Sequence, residues 1–141
     1  MRIAHVTLLG FVIVSIIVVV LLLYYKSREN FIENEDLNNI IRELVRLDPI
    51  VSRLNFYEGE KSYTINKQNV YICMRDENGK YYDKNFLVYV ILHEISHALC
   101  NEIGHTQKFM DIFSDLIERA SKMGLYNKNA PKVENYCNYR K

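Results

Sequence analysis

Cysteine is scarce in this 141-residue chain, at three residues. An odd set of three does not make a disulfide framework. None of the 14 asparagines opens an Asn-x-Ser/Thr sequon. Both absences point towards the cytosolic side of a membrane. An excess of either charge is also missing. Once Arg2 is set aside, residues 26–141 carry 17 basic and 17 acidic side chains. A balanced charge gives no electrostatic footprint for nucleic acid. No internal repeat or low-complexity segment appears.

What is present is unevenly distributed. Val6 to Tyr25 is a run of 20 residues without a charge. As a helix it would be about 30 Å long, the thickness of a bilayer core. Tyr24 and Tyr25 stand where an interfacial aromatic belt would lie. The run is longer than the core of a cleaved signal peptide and ends in Tyr24-Tyr25-Lys26, not in small residues. The expectation is a transmembrane anchor over residues 1–25 and a single-pass membrane protein. Lys26 and Arg28 outweigh Arg2, which puts the following domain on the cytosolic side.

After a stem over residues 26–32, residues 33–141 read as one small α+β domain. Leu37, Ile40, Ile41, Leu44 and Leu47 recur at helical spacing within Glu33–Leu47, and Pro49 ends that helix. Tyr63–Asn66 and Val70–Arg75 look like strands. Asn78-Gly79 supplies a tight turn, and Tyr81-Tyr82 pairs back briefly. Asp83 or Asn85 caps a helix running to about Cys100, with Leu87, Ile91, Ile95 and Leu99 as its apolar stripe. Asn101 to His105 is a loop. Thr106 caps a last helix that buries Phe109, Phe113, Leu116, Ile117 and Ala120, and Gly124 stops it.

The chemistry lies in His93-Glu94-Ile95-Ser96-His97. Residues four apart on a helix share a face, so His93 and His97 can hold one metal ion. Imidazole nitrogen suits zinc, and a catalytic zinc site keeps one position open for water. Glu94 stands beside the two ligands as a general base. An accidental pair is disfavoured by its setting. In so apolar a helix, two unpaired histidines and a carboxylate would be costly to bury. Catalytic zinc takes three protein ligands. His105 follows Gly104 in the loop after the helix, so the chain can turn back to the metal. Glu118, at a spacing close to that of thermolysin-like enzymes, is the alternative. The metzincin pattern is excluded, because Ile103 and Cys100 stand where it needs His and Gly. Cys73 and Cys100 read as small core residues, although Cys100 lies one turn beyond His97. Cys137 has no assignment. Tyr126, Tyr136 and Tyr139 read as packing residues of the tail, with a hydroxyl facing a developing oxyanion as the alternative.

His93-Glu94-x-x-His97 followed by Gly104-His105-x-x-x-Phe109 resembles the WLM and SprT-like zinc peptidases, including uncharacterised membrane-anchored members from large DNA viruses. The resemblance covers roughly residues 60–125. It implies a minimal zincin-like fold: a helix, a short sheet, the active-site helix and a C-terminal helix. It also implies zinc on His93, His97 and His105, with Glu94 as base, and a protein or peptide substrate laid along an edge strand, for which Val70–Arg75 is the candidate. The DNA-linked substrates of that group are not carried over, since no DNA-binding patch is present. The resulting expectation is peptide-bond hydrolysis by a metal-activated water. The alternative is a non-catalytic, zinc-stabilised peptide-binding or scaffold module.

Overall fold

The structure, a computed structural model, describes the backbone of residues 2–29 and 34–137 and the side chains of residues 10–24 and 34–137. The chain divides into two compact units, Met1–Phe31 and Ile32–Lys141.

The first unit is a single helix, α1 (Arg2–Glu29). Its described side chains span residues 10–24, 15 in all. Among the described residues no helix is long and apolar enough to cross a membrane. This overturns the expected transmembrane anchor over residues 6–25. The single-pass placement, with its cytosolic domain, falls with it.

The second unit is a mixed α+β domain built from three helices and a three-stranded sheet. Helix α2 (Glu35–Leu44) starts at Asn34, whose side chain accepts from the Leu37 N–H. That bond satisfies one of the donors left open at a helix start. Glu35 and Asp36 in its first turn and Arg42 in its last match the helix dipole. Leu37, Ile40 and Leu44 face the core, and Glu33 lies outside the described residues. Pro49–Arg53 then forms a single tight 3-10 turn capped by Asp48.

Strands β1 (Asn55–Glu58), β2 (Tyr63–Ile65) and β3 (Asn69–Ile72) pair in the order β1-β3-β2. β1 runs parallel to β3 and β2 antiparallel to it. The expected strand over Val70–Arg75 therefore ends early and is the central strand, flanked on both sides. The edge beside the long helix belongs to β2. Arg75 still pairs with Tyr81 across the Asn78-Gly79 turn, as an isolated bridge. Alternation along the strands sends Phe56, Val70 and Ile72 to the core. It lines up Tyr57, Tyr71 and Tyr63 as a row across the opposite face, with ring centroids 5.4 and 4.7 Å apart.

Helix α3 (Lys84–Leu99) is the spine of the domain. Asp83 caps it, accepting from the N–H groups of Asn85 and Phe86. It is apolar nearly all round, with Leu87, Val88, Ile91, Leu92 and Ile95 buried, as expected of a helix covered on several sides. It packs against β2 and β3 and against α4 (Gln107–Lys122). Thr106 caps α4, and Phe109, Phe113, Leu116 and Ala120 form its buried face. Gly124 ends it at φ +72°, a left-handed conformation that glycine adopts freely.

The tail returns to the sheet. A disulfide joins Cys137 to Cys73, just beyond β3, with their Cα atoms 6.4 Å apart. The reading of three cysteines without a disulfide, and the cytosolic argument drawn from it, is thereby corrected. Cys100 is the free, buried thiol.

Candidate metal centre

One turn of α3 separates His93 from His97, so both rings leave the helix on the same side. Beyond Leu99 the chain turns through residues 101–105, and Gly104, at φ +84°, reverses it. That turn brings His105 back over the helix. The three ring centroids form a nearly equilateral triangle: 5.0 Å from His93 to His97, 4.9 Å from His93 to His105 and 5.0 Å from His97 to His105. The Nε2 atoms of His93 and His105 are 3.0 Å apart. Each of the three residues offers one nitrogen within 4.8 Å of the others, and together they could hold a metal ion.

The donor set fits a metal on two grounds. Two ligands at about 2.0–2.1 Å from a tetrahedral zinc stand about 3.3–3.4 Å apart, close to the separation of the two Nε2 atoms. Metal also needs neutral imidazole. Burial, followed by the neighbouring His97 and His105, pushes His93 down to about 4. Burial, His105 and Lys67 push His97 down as well. His93 therefore stays neutral well below the usual histidine range, and His97 gives up its proton more readily than an ordinary histidine.

Phe109 is the wall behind the triangle. Its ring lies 4.3 Å from that of His97, 4.8 Å from His105 and 5.0 Å from His93, and the side chain is buried. Any shift of the first turn of α4 would therefore disturb all three rings.

Glu94 sits one residue along from His93 and is only 5 % exposed. Its Oε2 accepts a hydrogen bond from Thr64 Oγ1 at 2.8 Å, and the same hydroxyl lies 3.1 Å from the Glu94 carbonyl oxygen. Burial raises the carboxyl above its ordinary value, and the Thr64 bond opposes part of that rise. A buried carboxylate that is less acidic than usual is suited to taking up a proton near neutral pH.

Two residues at this site carried no sequence signal. Thr64 lies on β2, 30 positions before Glu94. Lys67 follows β2 and donates through Nζ to the carbonyl oxygens of Cys100 and His97. It satisfies open carbonyls at the C-terminus of α3 and complements the helix dipole there. Only strand pairing brings either residue to α3, and a local pattern cannot show that.

The rival ligands lie elsewhere. Glu118 is exposed on α4 and pairs with Lys122 at 3.3 Å and Lys128 at 2.9 Å. Cys100 is buried and outside the histidine cluster. Tyr126 is buried beside Tyr89, Tyr139 lies outside the described residues, and Tyr136 approaches Glu94 from the tail.

Comparison with known proteins adds three viral relatives. An uncharacterised protein of Invertebrate iridescent virus 6 is 48% identical over 91 residues, covering 62% of this chain and 51% of the relative. One from Invertebrate iridescent virus 3 is 45% identical over 89 residues, covering 62% and 56%. One from Acanthamoeba polyphaga mimivirus is 33% identical over 83 residues, covering 54% and 42%. The chain thus spans about half the length of the curated relatives it matches. No family model matches it, and neither does any solved structure.

Proposed function

We propose that this domain is a zinc-dependent peptidase of the WLM/SprT-like kind, with His93, His97 and His105 as metal ligands and Glu94 as general base. One observation carries the reading: three imidazoles converge on one point, beside a buried carboxylate that is held by a single hydroxyl. Zinc bound there would supply Lewis acidity, polarising a scissile carbonyl and acidifying water. Thr64 fixes Oε2 of Glu94 and leaves Oε1 to accept a proton from the attacking water. Glu94 then passes that proton to the leaving amine. The free edge of β2 lies beside this helix, so an extended peptide can add to it through main-chain hydrogen bonds. The substrate is accordingly a protein or peptide in extended form.

A zinc-stabilised binding module is the second reading. The burial of Glu94 argues against it, since a purely structural ion does not need an adjacent buried carboxylate. The test is metal analysis of the purified full chain, paired with proteomic detection of new peptide ends. About one zinc per chain with new ends supports the peptidase. One zinc without cleavage supports the binding module, and a metal-free chain removes both.

A further inference from the structure

We propose that Tyr136 is a positioning residue for Glu94, acting through Ser62 and β2, and that the Cys73–Cys137 disulfide locks it in place. The role assigned to Glu94 rests on the peptidase reading, whereas the contacts that position it do not.

The tail turns inward at Tyr136 and Cys137. Residues 131–135 are all exposed, while Tyr136 and Cys137 are drawn in. The Tyr136 ring packs edge-on against Tyr82 and Phe86, each at 5.1 Å between centroids. Its hydroxyl donates to the Cys73 carbonyl oxygen at 2.6 Å. That bond uses the only phenolic proton, so Ser62 Oγ, 2.6 Å away, must donate to the Tyr136 oxygen. Ser62 Oγ in turn accepts from the Cys73 N–H at 2.9 Å. Three hydrogen bonds thus close a ring between the tail, the residue before β2 and the residue after β3.

This ring begins where the sheet ladder stops. The β2–β3 pairing ends at Tyr63 and Tyr71, and Ser62 continues it with a side chain. Two residues along, Thr64 holds Glu94. Positions two apart on an extended chain project to the same face, so anchoring Ser62 sets the direction of Thr64. The next tail residue, Cys137, is bonded covalently to Cys73, which supplies both backbone groups of the ring. The disulfide and the hydrogen bonds therefore secure the same junction. With its proton committed to Cys73, Tyr136 does not serve as an oxyanion donor. Positioning is the role the contacts leave to it.

The test uses the zinc-loaded full chain with Tyr136→Phe, Ser62→Ala and the double variant. The first readout needs no turnover. Tyr136→Phe should speed amide exchange of Tyr63–Ile65 by about tenfold or more, since it removes both hydrogen bonds of that hydroxyl, while α4 stays unchanged. In the double variant the two effects should fall short of multiplying, because both substitutions remove the Ser62–Tyr136 bond. The second readout is kinetic: kcat should fall severalfold, with KM and zinc content unchanged. Unaltered exchange in β2, or effects of the two substitutions that multiply, would overturn the proposal. So would a loosened β2 with kcat intact. If the native protein cuts no peptide, the peptidase reading fails by itself. The positioning claim is then decided by a stability cycle between Thr64→Val and Tyr136→Phe, which supports it if the two effects are coupled and overturns it if they are independent.

Discussion

At the scale of single residues, the site depends on which third side chain joins His93 and His97. His105 lies within the nitrogen cluster, and Glu118 is paired with two lysines on the solvent side of α4. His105→Ala should lose most of the bound zinc. Glu118→Ala should keep it, with stability changed by about 0.5 kcal/mol or less. Zinc per chain in the two purified variants checks this, and the reverse pattern would move the domain to the thermolysin-like enzymes. A pH effect follows from the same rings. His93 titrates at about 4 in the folded chain, below the ordinary 6.5. The unfolded state thus binds more protons through that window, and metal-free native protein loses stability as pH falls from about 6.5 towards 4. Urea unfolding of metal-free native protein and of His93→Gln across this range tests it. The native protein should lose more stability than the variant on acidification, and parallel curves would contradict the assignment. The three histidines and Glu94 were legible in the sequence because helical spacing and one glycine turn are local signals. Thr64 was not, because its contact spans 30 positions.

At the scale of elements, the helices were the readable part. Asp83, Thr106 and Gly124 punctuate α3 and α4 where capping chemistry places them. The sheet was harder. β1, Asn55–Glu58, has four residues and little alternation, and it is a strand only because β3 pairs with it. For the same reason Val70 looked like part of an edge and proved central. The Cys73–Cys137 bond lay beyond sequence reasoning, since connectivity does not follow from cysteine number. It closes a loop of 64 positions, for which chain entropy gives about 4 kcal/mol. Replacing both cysteines by serine should cost about 2–5 kcal/mol in urea unfolding. Zinc content should be retained, because neither sulfur belongs to the histidine cluster. A cost below about 1 kcal/mol would mean that the tail is held without its covalent lock.

At the scale of the whole molecule, the apolar run at the start shows the limit of composition. Twenty uncharged residues fit the thickness of a bilayer by length alone. Yet no helix among the described residues is long and apolar enough to cross one. The viral relatives match 83 to 91 residues and extend well beyond that match. The peptidase proposal therefore stands on the chemistry of the second unit. Its most direct test is Glu94→Gln, a change that keeps shape and removes the base. Native and variant chains, brought to equal zinc content, are compared for hydrolysis of an unfolded protein. The account predicts that the variant retains its zinc and cuts about 100-fold or more slowly. Equal rates from the two proteins would contradict it.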